Sequence, residues 1–162
     1  MSRATIRAAI NSFFAPPAVS GLNTLYAAQP KRIPGTDFRA GQSAGTKSGV
    51  VGIVNIMSSR EERIAIGGPT SGQKWVHYQC ELQLFCHSIE THSENAMAFF
   101  DTVVDNIKAK LRSDRYLSDY PAIFEAGERQ LLGIYGEPRV LSDGATEIWG
   151  AIRFEVSEVI TT

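Results

Sequence analysis

KWVHYQCELQLFCHS (74–88) decides the fold, because strict alternation over so many residues belongs to an extended strand with one buried face. One face carries Val76, Tyr78, Cys80, Leu82, Leu84 and Cys86; the other carries Trp75, His77, Gln79, Glu81, Gln83, Phe85 and His87. The only two cysteines stand six residues apart on this strand, about 20 Å at the ~3.3 Å rise of an extended chain. A disulfide needs Cα atoms within about 7 Å, so both read as small core residues. Immediately downstream, Thr91-x-x-Glu94 fits a capping box, and the helix it opens runs to about Arg112. Ala96, Phe100, Val103, Val104, Ile107 and Leu111 line its apolar side, with Asp101, Asp105, Lys108 and Arg112 on another.

Upstream, VVGIVNIM (50–57) is a β-branched run apolar on both faces, which predicts a covered strand. Ser58 to Glu62 read as a polar turn, Arg63 to Ile66 as a second strand and GGPTSGQ (67–73) as a turn. Residues 2–14 place Ile6, Ala9, Ile10, Phe13 and Phe14 on one helical face, ended by Pro16 and Pro17. Leu22, Leu25 and Tyr26 suggest a short helical turn. Residues 29–49 show no period and are rich in Gly, Pro, Ser and Thr, so a long flexible basic loop is expected there.

Toward the end of the chain, 114–121 read as a loop and IFEAGE (123–128) as a short strand. LLGIYGEPRVL (131–141) and ATEIWGAIRFEVSEVI (145–160) bracket Ser142-Asp143-Gly144, a hairpin turn. The last strand sets Ile148, Ile152, Phe154 and Val156 against Glu147, Trp149, Arg153 and Glu155. The resulting order, α–β–β–β–α–β–β–β with hairpin-length links, predicts an α+β fold: a mainly antiparallel sheet with two helices on one face. All 162 residues fit a single domain.

Composition excludes more than it names. With 43% hydrophobic residues and a net charge of −1, the chain is neither disordered nor globally basic, so sequence-specific nucleic-acid binding is not expected. No apolar run approaches the roughly 18 residues of a membrane helix. MSRATIRAAINSFFAPP lacks the apolar centre of a secretory leader, which predicts synthesis in the cytoplasm. Charge is nonetheless uneven. Residues 1–49 hold six basic residues against Asp37 alone, whereas 50–162 hold ten basic and sixteen acidic ones. A basic arm on an acidic body favours head-to-tail contact between copies or an acidic partner; the alternative is a solvated loop.

The search for chemistry finds little. Cys86, His87 and His92 match no zinc spacing, and adjacent strand residues point to opposite faces. No G-x-S-x-G occurs, and Lys47-Ser48 lacks the frame of a phosphate loop. Asp101 and Asp105 could form a carboxylate site, but Lys108 and Arg112 continue the same stripe as a solvated ion-pair face. The expectation is therefore no catalytic, cofactor or metal site. What remains is the polar sheet face: Gln79, Glu81, Gln83, Arg153 and Glu155 beside Trp75, Phe85 and Trp149. Aromatics among polar groups point to a protein contact, unless they pack against a loop or the first helix.

Three stretches carry a resemblance: YQCELQLFCHS (78–88), AMAFFDTVVDNIKAKLRSDR (96–115), and the pair IFEAGE (123–128) with TEIWGAIRFEV (146–156). Together, over about residues 50–160, they resemble the tail terminator (tail completion, tube-capping) proteins of long-tailed bacteriophages. The resemblance implies a structural subunit without an active site or cofactor. It also implies a ring, usually of six, that caps the finished tail tube, stops its polymerisation and joins it to the head-side connector. Its partners would be copies of itself, the tail tube protein and the connector, with DNA passing through the ring. Its place would be the head-proximal end of the virion tail, after synthesis in the bacterial cytoplasm. On that reading Lys31, Arg32, Arg39 and Lys47 make contacts in trans, and the polar sheet face meets a neighbour or the ring interior. Two alternatives stand beside it: a head–tail connector, neck or minor tail protein, and a small-molecule-binding α+β domain using Asp101 and Asp105.

Overall fold

A computed structural model describes residues 2–65, 72–114, 116–117, 122–124 and 131–161, with side chains omitted at 65, 122–124 and 161. Among them lie helices α1 (Arg3–Phe14) and α2 (Ser93–Ser113) and strands β1 (Leu22–Tyr26), β2 (Ser48–Ala65), β3 (Gln73–Ser88), β4 (Ala122–Phe124), β5 (Leu132–Tyr135), β6 (Arg139–Val140) and β7 (Thr146–Thr161). They form one sheet in the order β1-β2-β3-β7, and β4, β5 and β6 follow one another along the far edge of β7. Every pairing is antiparallel except β1 with β2. The α+β class with two helices on one face of a mainly antiparallel sheet is thus observed.

Both helices bury the faces their periodicity marks. Ser2 caps α1, its hydroxyl accepting the Thr5 N–H at 3.2 Å. Pro16 ends it by pushing Ala15 into extended geometry (φ −55°, ψ 140°). Ile6, Ile10 and Phe14 from α1, and Phe100, Val104, Ile107 and Leu111 from α2, close over Val54, Leu82, Leu84, Ile152 and Phe154. Each such side chain taken from water contributes about 1.5–3 kcal/mol. Gly150 admits the Phe100 ring: a Cβ there would stand 2.8 Å from Phe100 Cζ. Cys80 and Cys86 are free and buried on this helix side, as their parity predicts.

Several local expectations are corrected. Leu22–Tyr26 is a strand rather than a helical turn, running parallel to Val50–Ile53. Residues 58–62 do not turn. β2 passes through them as one strand paired with β3 throughout, and the polar residues are accommodated because this half of the strand is exposed. Its register shifts between Ile56 and Ser58, so the extra residue Met57 is absorbed as a bulge. The capping box does not form: His92 is the N-cap and makes no side-chain cap bond. The strand exit is held instead by Ser88 Oγ, which accepts the Glu90 N–H at 3.1 Å. The expected strand 131–141 is two pieces, because Pro138 has no N–H for the ladder and Gly136 N–H goes alone to the Trp149 carbonyl at 2.8 Å. The Ser142-Asp143-Gly144 turn is present, with Gly144 at φ +82°. Residue 66 of the expected second strand, 67–71 of the expected turn, 125–128 of the expected IFEAGE strand, and 115 and 118–121 of the expected loop lie outside the described residues.

The aperiodic stretch 29–49 carries a 3-10 turn, Gly35–Arg39, packed on β1 and β2. Thr24 Oγ1 donates to the Asp37 carbonyl at 2.8 Å, Asn23 Nδ2 to the Ala40 carbonyl at 2.9 Å, and the Tyr26 hydroxyl to the Asp37 carboxylate. This segment lies over the sheet face opposite the helices, where Val51 and Ile53 are wholly buried. The expected cover on both faces therefore holds over 50–54, whereas Met57 at the bulge is 53% exposed.

Candidate functional site

The face of the sheet turned away from the helices collects most of the residues that the sequence marks for contact. Side chains alternate along β3 and β7, and the register sets Gln79 beside Glu155, Glu81 beside Arg153 and Phe85 beside Trp149. Arg153 Nε donates to Glu81 Oε2 at 2.7 Å, and Gln83 Nε2 donates to Glu81 Oε1 at 2.9 Å. Gln79 Nε2 donates to Glu155 Oε2, while the other oxygen of Glu155 lies 2.7 Å from His77 Nδ1. Trp75 meets the His77 ring edge to face at 5.5 Å.

These groups are not equally open. Trp75 and Trp149 are 40% and 38% exposed, whereas Glu81 and Glu155 are buried by the long side chains that bond them. Gln79 is exposed; Gln83 and Arg153 are half-buried. The two carboxylates therefore hold the face together, and the tryptophans and Gln79 are what a partner would meet.

At the other end of this face, Ile33 and Phe38 from the 29–49 segment, with Phe85, His87, Glu147 and Trp149, line an open groove of about 490 Å³. Phe38 stands 5.7 Å from the His87 ring. Phe85 and Trp149 thus share this groove with the loop residues Ile33 and Phe38, while Trp75 stands at the other end, beside His77. Lys31, Arg32 and Arg39 are exposed and sit next in sequence to the groove residues Ile33 and Phe38. Lys47 lies apart, its Nζ 3.8 Å from Glu90 Oε2.

Two buried polar groupings escape the sequence reading. Ser157 Oγ lies 2.8 Å from His77 Nδ1, the same nitrogen that faces Glu155. A hydrolytic relay needs the hydroxyl and the carboxylate on opposite ring nitrogens, so this cluster does not have that form. On the helix side, the Tyr78 hydroxyl donates to Glu158 Oε1 at 2.8 Å. Burial, then the bond to Glu158, raises the Tyr78 hydroxyl well above the ordinary tyrosine range. Extending the inward parity of Phe154 and Val156 by one step would have found Glu158. Burial likewise pushes the Cys80 and Cys86 thiols up to about 12, away from reactivity.

The remaining candidates separate in space. Cys86 lies in the helix-side core and His87 on the opposite face. Among the described residues no three His, Cys, Asp or Glu side chains are grouped to hold a metal. Asp101 and Asp105 are exposed on α2, and Lys108 Nζ donates to the Tyr135 hydroxyl at 2.7 Å instead of extending an ion-pair stripe. No described helix is long and apolar enough to cross a membrane. No protein-family model matches the chain, and no curated protein matches it.

Proposed function

We propose that this chain is a structural subunit of a bacteriophage tail, forming a ring that caps the finished tube and joins it to the head-side connector, with no bond-making centre. The observation that carries the reading is the outer sheet face. Trp75 and Trp149 stand exposed at its two ends, and a cross-strand network of Glu81, Arg153, Gln79, Glu155 and His77 stiffens the ground between them. Rigid aromatic anchors on a preformed platform favour a protein partner, because little side-chain entropy is lost on docking. The resemblance over residues 50–160 supplies the identity of the partners: copies of the chain, the tube protein and the connector.

Charge supports a head-to-tail arrangement. Lys31, Arg32 and Arg39 project from the segment laid over the sheet, while the rest of the molecule is acidic. Contacts between unlike surfaces of successive copies close into a ring when the rotation permits. A neck or connector protein would use the same surfaces, and position in the particle separates the two. The test is charge reversal at Arg39 and Lys47 together, scored by tail joining in infected cells. The variant folds, with unchanged circular dichroism, and joins tails poorly; full infectivity would contradict the assignment of these residues.

A further inference from the structure

β1 covers the outer edge of β2 only at Val50–Ile53, and the 3-10 turn in turn covers β1. From Val54 to Ala65, no described strand pairs with that edge of β2. Arg3 Nη2 donates to the Ile56 carbonyl at 2.7 Å on this edge. The side chains of residues 57–64 are all exposed. The regular stretch between the two register shifts, Ser58 to Arg63, is about 20 Å of open edge at ~3.3 Å per residue and a template for another strand.

Natural edges are blunted by charged side chains, bulges or a covering segment, and like charges placed opposite one another repel a second copy. Here the signs complement one another. Arg60 and Glu62 lie two residues apart on one face, opposite His77 and Trp75 of β3. We propose that this edge pairs with the same edge of a second copy of the chain, antiparallel, about a two-fold axis at Glu61. In that register Arg60 faces Glu62 of the second copy, and Glu62 faces the second copy's Arg60. Glu61 meets its own counterpart on the other face, where Lys74 Nζ of the same chain lies 3.3 Å away. The second copy's Arg63 stands one diagonal step from Glu61, within reach of a long side chain. Register shifts on either side of this stretch, at Ile56/Ser58 and Arg63/Ala65, confine regular pairing to its few central residues. The result is one sheet continuous through both copies.

This inference is independent of the tail-tube reading, since it concerns the free chain. Sedimentation of the purified protein at about 50 µM tests it: the wild type runs as a dimer. R60E sets carboxylate against carboxylate and E62R sets guanidinium against guanidinium, so each runs as a monomer with unchanged circular dichroism. R60E/E62R restores opposite-sign pairs and the dimer. A monomeric wild type, an assembly indifferent to R60E, or a double variant that stays monomeric would each overturn the proposal. The tail-joining assay reports on the other reading separately.

Discussion

Gly49 and the Phe38 carbonyl are in direct contact: a Cβ at residue 49 would occupy the space of that oxygen. The contact fastens the segment that leaves β1 to the strand it feeds, and Gln42 Nε2 completes the joint by donating to the Ser48 carbonyl. The basic residues of this segment are therefore presented from an anchored turn rather than from a free arm.

Gly49→Ala forces the turn off the sheet, at a cost of about 1–3 kcal/mol. Trypsin then cuts after Arg39 and Lys47 faster than in the wild type. Gly35→Ala, where an added Cβ meets nothing within 4 Å, leaves the digestion rate unchanged.

Arg153 and Glu81 give a second prediction, and their unequal burial sets its shape. Arg153 keeps 41% of its side chain in solvent and Glu81 only 8%, so screening limits the direct coupling to about 1 kcal/mol in a double-mutant cycle. Arg153→Ala nevertheless costs about 1–3 kcal/mol, because it leaves a buried carboxylate with Gln83 alone. Glu81→Gln costs less, and 0.5 M salt shrinks the coupling. Equal costs for the two substitutions in urea unfolding would contradict this arrangement.

Much of this platform is legible in the sequence, and what is missed has a common cause. Alternation in 74–88 and 146–156 placed Gln79, Glu81, Arg153 and Glu155 on one face, which the register confirms. Alternation does not say which polar groups bury one another, so Glu81 and Glu155 could not be separated from Gln79. The sequence also reads Ser58–Glu62 as a turn, since polar residues resemble a loop wherever a strand runs beyond its core. Leu22–Tyr26 is too short for periodicity to tell strand from helix. The 3-10 turn at Gly35–Arg39 depends on bonds from Asn23, Thr24 and Tyr26, tertiary contacts that no local pattern announces.

The buried thiols predict a pH dependence. Cys80 and Cys86 titrate at about 12 in the folded chain, against ~8.5 for an unfolded one. The folded state keeps protons that the unfolded state sheds. Stability is therefore flat below about pH 8.5 and falls as pH rises toward 12, by at most ~1.4 kcal/mol per pH unit for each thiol. Tyr78 adds to the decline above about pH 10, its ordinary range. Urea midpoints between pH 7 and 10.5 follow this course, and Cys80→Ala/Cys86→Ala shows a shallower fall from pH 8.5 to 10. An identical slope in that variant would show that the thiols are not the cause.

Electron microscopy of the purified protein mixed with bacteriophage tail tubes tests the proposed function most directly. The account predicts rings seated at one end of each tube and no further tube growth from that end. Bare ends at saturating protein, with tubes still elongating, would contradict it.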